Sequence, residues 1–328
     1  MRKNHFLPID RPDFICRDQV SCANAVVKAV AGEQFRLLMC AKYINCFFEK
    51  EALHHKLVIS TFDQWCAAQK LMQLQLIKLL KETFQKEKRD LALTVKKCLL
   101  CDAYVFVECN RAYFEKDVDP DGQTFHAVVV GFDDDTNAFT VYGVDRSEHF
   151  SCYQITYQNF VKALFDTPNL YVTLNMWRHN KDVTISLDLP NIIFELEDYI
   201  NSTARKIILS EDRIYGLDAM RELSRHFYET AKADSTVNEA YLHKFSMHKS
   251  YMKDRIEYLA SSGFIDKAWT QQAEQVFQKG KDVFELGRVF NRSHDRSLIE
   301  KLAQTMDAAI ALEANYLPKV LEELKKQN

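Results

Sequence analysis

The stretch FHAVVVGFDDDTNAFTVYGVD, residues 125–145, decides how the first half of the chain folds. Two apolar, β-branched runs flank an Asp/Asn-rich segment at 133–137, which is the pattern of an antiparallel hairpin closed by a turn. Pairing across that turn brings His126, at the entrance of the first strand, near Asp145, at the exit of the second. Outward from the hairpin, AYVFVE at 103–108, residues 151–156 and the alternating run 169–177 read as further strands, with a short helix at 157–165.

Before the hairpin the texture is helical. Residues 6–18, with Pro8 and Pro12, read as an extended leader. Helical periodicity begins near Ser21, with Asp18 or Ser21 as the cap, runs through CANAVVKAVAGEQF and continues through FRLLMCAKYINCFFEKEALHHKL. A third helical pattern over 62–100 carries Leu71, Leu74, Ile77, Leu80 and Phe84 at three- and four-residue spacing, with a break near 88–90. After Pro190 helix follows helix, over 191–206, 211–232, 235–260, 266–287 and 294–326, with Gly216, Gly263 and Gly287 near the expected breaks. The expected fold class is α+β. A first domain over 1–185 holds helices and a small antiparallel sheet, and an all-helical C-terminal domain follows over 186–328.

Composition narrows the function classes. Of 328 residues, 47% are hydrophobic and 27% charged, the balance of a folded globular protein rather than a disordered or collagen-like one. Only 8 glycines and 6 prolines weigh against a fold built on glycine-rich nucleotide-binding loops. A net charge of −3 argues against nucleic acid as the main partner. No run approaches the ~18 apolar residues of a membrane span, and the first residues lack the apolar core of a signal peptide. A cytoplasmic location is therefore expected. There the nine cysteines, none of them beyond Cys152, remain free thiols rather than a disulfide framework.

Three residues carry chemistry together. Cys22 is expected at a helix N-terminus, where the positive end of the dipole and unpaired N–H groups favour a thiolate. His126 can take the thiol proton. Asp145 can accept from the imidazole N–H and fix its tautomer. Each alone is ordinary: a small buried residue, a surface histidine, a strand-end aspartate. Asp133, Asp134 and Asp135 belong to the turn at the far end. Cys98-Leu-Leu-Cys101 is a C-x-x-C without a second pair of ligands, since only Cys109 follows nearby, and is set aside as a metal or redox site. His54 and His55 read as a solvated face, His226, His243 and His248 as packing or surface, and Trp65, Trp177 and Trp269 as core.

The order Asp18-Gln-Val-Ser-Cys22-Ala-Asn-Ala-Val, then Phe125-His-Ala-Val-Val-Val-Gly-Phe-Asp-Asp, then Phe139-Thr-Val-Tyr-Gly-Val-Asp145 resembles a papain-like cysteine enzyme. It is similar to the branch that holds the bacteriocin-leader peptidases and the butirosin-biosynthesis H-type acyltransferases. Chain length and the helical second part favour the second group, and Ile214-Tyr-Gly-Leu-Asp-Ala-Met-Arg-Glu-Leu223 resembles the opening of its helical part. The thiotemplated amide synthetases of polythioamide (closthioamide-like) antibiotic biosynthesis are relatives of this type.

That resemblance implies amide formation from an acyl group carried as a thioester on the phosphopantetheine arm of an acyl or peptidyl carrier protein. The acyl group passes to Cys22 and then to an amine, with His126 as base toward the thiol and later toward the amine. No bound cofactor, metal, nucleic acid or membrane is implied. The backbone N–H of Cys22 and the side chain of Gln19 are the candidate oxyanion donors. The family's glutamine stands several residues before the nucleophile, whereas Gln19 is only three before Cys22. Basic pairs such as Lys96-Lys97 or Arg111 with Lys116 would suit an acidic carrier. The helical part is open to two roles, closing one side of the site or forming a homodimer interface. Two other function classes share these residues: a leader-cleaving cysteine peptidase or hydrolase, and a binding scaffold that does no catalysis.

Overall fold

The computed structural model describes residues 3–12, 18–49, 56–59, 70–86, 90–116, 118, 123–147, 149–205, 213–234 and 236–327. The chain divides into two units, Met1–Arg36 with Gln64–Ile185, and Leu37–Asp63 with Ser186–Asn328. Residues 37–63, expected in the first domain, thus belong to the second unit.

The first unit is built on an antiparallel sheet. Its strands are β1 (Asn4–Phe6), β4 (Met72–Leu80), β5 (Ala103–Asn110), β6 (Thr124–Asp133), β7 (Ala138–Val144), β8 (Phe150–Thr156) and β9 (Tyr171–His179). They lie in the order β4-β9-β5-β6-β7-β8, and β1 pairs with the end of β6 at residues 131–133. The hairpin read from the sequence is present: Phe132 pairs with Phe139 and Asp133 with Ala138 around a turn in which Asn137 is left-handed, φ 52°. A bulge falls between Val129 and Gly131. Gly131 is required there, because a Cβ would come 2.2 Å from the Phe6 ring and 2.9 Å from the His5 carbonyl of β1.

The helices of this unit are α1 (Asp18–Ala31), the start of α2 (Glu33–Cys40), α3 (Lys81–Lys86), α4 (Leu91–Leu100) and α5 (Tyr157–Phe165). Asp90 caps α4 by accepting from Leu93 N–H at 2.8 Å, and Thr156 caps α5 through Asn159 N–H at 3.3 Å. The turn aspartates also hold structure, since Asp134 accepts from Lys96 at 2.7 Å and from the Tyr157 hydroxyl at 2.8 Å.

The helix expected through Leu74, Ile77 and Leu80 is instead strand β4. MQLQLIKLL satisfies a period of two as well as a period near 3.6, and nine consecutive pairings with β9 fix it as extended. Among the described residues β4 ends the sheet, and Leu74, Leu76 and Leu80 on it remain exposed, Leu76 by 61%.

The second unit has a three-stranded sheet, β10 (Arg213–Tyr215), β2 (Cys46–Glu49) and β3 (Lys56–Ile59), in the order β10-β2-β3. The helical reading, which ran on to Leu57, is therefore also corrected at 46–49 and 56–57; residues 50–55 lie outside the described residues. The unit's helices are α6 (Leu189–Ile200), α7 (Gly216–Asp234), α8 (Glu239–Ser261), α9 (Ala268–Ser293) and α10 (Ser297–Lys326), close to the expected spans. Gly287 lies inside α9 rather than at a break. A Cβ there would meet Leu242 of α8 at 2.0 Å, so glycine permits the close approach of the two helices.

Donors from the helices explain why residues 40–45 join this unit. Arg255 donates to the carbonyls of Cys40, at 2.7 Å, and Lys42. His248 Nε2 lies 2.8 Å from Ile44 O, and Asn191 donates to Ala41 O at 2.9 Å. Beside them Lys249 and Glu313 form a fully buried ion pair, and the Tyr199 hydroxyl donates to Glu313 at 2.8 Å. Burial, reinforced by the Lys249 charge, holds the His248 imidazole well below the usual histidine range.

Lys249→Met leaves Glu313 buried without its cation and is expected to cost about 3–5 kcal/mol, while Lys249→Met with Glu313→Leu restores most of it. Chemical denaturation of the three chains reads both changes. His248 is neutral when folded and titrates near ~6.5 when unfolded. Stability is therefore lost as pH falls below that value, because the unfolded chain binds the extra proton. The thermal midpoint should fall between pH 7.5 and 5.5, and fall less in His248→Gln.

Candidate active site

Small side chains bring α1 onto the sheet. Ser21, Cys22, Ala23, Ala25, Val26 and Val27 are all buried, and α1 packs against β6 and β7. Cys22 Sγ points between these strands and donates to His126 O at 3.8 Å and to Tyr142 O at 3.7 Å. The thiol is fully buried.

Cys22 is not at the helix terminus. α1 begins at Asp18, so Cys22 is its fifth residue and lies beyond the N–H groups that a helix leaves unpaired. Its backbone N–H is therefore not the free oxyanion donor expected from the sequence. Cys16 and Arg17, one of which stands where the resemblance would place a glutamine, lie outside the described residues.

Gln19 and Cys22 are three residues apart on α1 and share a side of the helix. Gln19 Nε2 lies 2.5 Å from His126 Nε2. With the amide donating, Nε2 is the acceptor and the imidazole proton sits on Nδ1. Gln19 thus contacts the histidine.

Asp145 is at the mouth of the hairpin but does not meet His126. Ala127 pairs with Gly143, so continued register sets His126 against Val144 and Asp145 against Phe125, on the opposite face. Its carboxylate accepts from His149 N–H at 2.8 Å and from the Ser151 hydroxyl at 2.8 Å, with the His149 ring at 3.6 Å. Partial desolvation pushes this carboxyl up. The His149 N–H, the Ser151 hydroxyl and the His149 ring outweigh it and hold the group below the usual carboxylate range. Asp145 therefore closes the connection from β7 to β8.

The carboxylate that shares a face with His126 is Glu108, its direct partner across β5 and β6. Glu108 accepts from Asn169 at 2.8 Å. The sequence contains the signal for it: once 103–110 and 124–129 are paired as neighbours, Glu108 falls opposite His126.

Two of the basic residues offered as a carrier-docking patch are already committed. Lys96 pairs with Asp134, and buried Arg111 donates to Glu115 at 2.7 Å and to Val144 O at 2.9 Å. Among the described residues no group of three or more His, Cys, Asp or Glu side chains is arranged to hold a metal, and no helix is long and apolar enough to cross a membrane. No family model and no curated protein matches the sequence.

Of the described cysteines, Cys101 and Cys152 are exposed, Cys98 is half-buried, and Cys22, Cys40, Cys46 and Cys109 are buried. Alkylation of the native protein with iodoacetamide, mapped by peptide mass, should therefore label Cys101 and Cys152 well before Cys22. In denaturant this difference should vanish.

Proposed function

We propose that this chain is a papain-like cysteine acyltransferase that forms amides, acting on an acyl group delivered as a carrier-bound thioester. The observation that carries this reading is the grouping of Gln19 and Cys22, on one side of α1, with His126 at the start of β6. A thiol beside a histidine whose ring is held by a third side chain is the arrangement that nucleophilic cysteine chemistry uses.

In the first step the Cys22 sulfur attacks the thioester carbonyl. Its proton passes through the His126 imidazole to the departing phosphopantetheine thiol, so one thioester replaces another. In the second step an amine attacks the acyl-Cys22 carbonyl and loses a proton through His126. The amide leaves and the Cys22 thiol is restored. No nucleotide is consumed, because an amide is more stable than a thioester.

In the resting arrangement the thiol donates to the backbone carbonyl of the same residue whose ring would receive its proton. Rotation of Cys22 between staggered χ1 wells would redirect Sγ toward the imidazole, and the Gln19 amide must release Nε2, the ring's one acceptor in the resting arrangement, before the ring can take the thiol proton. Gln19 is the orienting partner of His126 in this scheme, with Glu108 on the same face as the source of negative charge. Asp145 is structural.

The test is intact-protein mass after mixing with acyl-loaded carrier protein, followed by addition of amines. The expected result is a mass gain of one acyl group that is absent in Cys22→Ala. His126→Ala should slow its formation by about 10²–10⁴-fold. Gln19→Ala should slow it less, and Asp145→Asn should alter it least. An adduct that persists in Cys22→Ala overturns the nucleophile assignment. Release of free acid with every amine offered makes the chain a hydrolase, and no adduct with any acyl carrier makes it a binding scaffold.

A further inference from the structure

The C-x-x-C set aside on sequence grounds acquires a third sulfur in the fold. Cys98 lies in the last turn of α4 and Cys101 is that helix's C-cap, φ −94°, so both occupy one edge of the helix end, three residues apart. Asp102 then turns left-handed, φ 57°, and the chain enters β5.

The sheet face below is set by register. Arg178 pairs with Ala103 and Gln73, and Met176 pairs with Val105 and Gln75, so these side chains share a face. The Cys98 thiol donates to Met176 Sδ at 3.2 Å. Cys98, Cys101 and Met176 line one cavity of about 280 Å³, with Lys97, Arg178 and two glutamines completing its wall.

We propose that Cys98, Cys101 and Met176 bind a cuprous ion. The donors are two thiols and a thioether, with no imidazole or carboxylate among the lining residues. Soft sulfur donors of this kind select Cu(I). Metal–sulfur bonds are about 2.3 Å long, so Cys98 Sγ and Met176 Sδ, now 3.2 Å apart, separate by side-chain rotation to hold one ion between them. Cys101, exposed at the rim, supplies the second thiolate by rotation of its side chain.

Charge favours Cu(I) over a divalent ion. Binding releases both thiol protons, and Cu(I) with two thiolates carries one negative charge. That charge faces Lys97 and the Arg178 guanidinium, which Gln73 holds at 2.6 and 3.2 Å. Zn²⁺ would need a fourth donor for its tetrahedron, and beyond the three sulfurs the side-chain acceptors of this wall are the amides of Gln73 and Gln75, of which Gln73 is held by Arg178. The site is separate from Cys22 and His126, which lie against the other face of the sheet, and it does not depend on the acyltransferase reading.

The test is an anaerobic titration of the reduced full-length protein with Cu(I) supplied as its bicinchoninate complex, read as loss of the chelator's colour. The expected result is that the native chain withdraws one equivalent of copper that Cys98→Ser with Cys101→Ser does not. Met176→Leu conserves volume and both thiols, and should hold the equivalent roughly tenfold more weakly, the lower end of what a supporting metal-site group contributes. Cys152→Ser should match the native chain, and far-UV circular dichroism checks that each variant is folded. Equal withdrawal by the native chain and the double variant overturns the proposal, as does no withdrawal by either. Uptake of Zn²⁺ at these residues in preference to Cu(I), or closure of Cys98 and Cys101 to a disulfide in place of copper uptake, also overturns it.

Discussion

A helix face made only of small side chains sets the spacing on which the first unit depends. Ser21, Cys22, Ala25 and Val26 let α1 lie close enough to β6 and β7 for a cysteine sulfur to touch two strand carbonyls. The same approach lets Gln19 reach across to His126. A larger residue at 22 would lift the helix and break both contacts at once, because protein interiors are packed without slack. The residue proposed as the nucleophile is therefore also a packing residue. Any substitution there has to be read for both effects.

The second unit solves a different problem. It buries Lys249, Glu313, His248 and Arg255 among its helices, and each must find partners in a medium that penalises isolated charge. Lys249 and Glu313 satisfy one another together with Tyr199. Arg255 and His248 instead bond the carbonyls of residues 40–44. Chain distant in sequence is thus tied into the helical core by polar bonds, which carry direction as well as energy. Residues 40–48 are part of that core for this reason, although nothing in their own composition announces it.

Sequence reasoning reached what local pattern decides. The runs 103–110, 124–133 and 138–144 are apolar and β-branched and are punctuated by turn residues, and they form the strands expected of them. The C-terminal helices follow their 3.6-residue periodicity for the same reason. It failed where two periods coexist, as in MQLQLIKLL, and where short strands form only by long-range pairing, as at 46–49 with 213–215. The site shows the limit most clearly. Cys22, His126 and Gln19 are identifiable from order along the chain. Choosing between Asp145 and Glu108 requires strand register, and a shift of one residue exchanges the faces of the sheet.

The open edge at β4 has a consequence for how this protein behaves in a crowded solution. A terminal strand with exposed leucines offers unpaired backbone groups and apolar surface together, which is a template for aggregation. Lys78 interrupts this row on the same face, between Leu76 and Leu80, with its ammonium 4.5 Å above the Tyr171 ring. Any strand adding to that edge would have to bury the Lys78 charge. One lysine in mid-strand thus works against the addition of another strand at that edge.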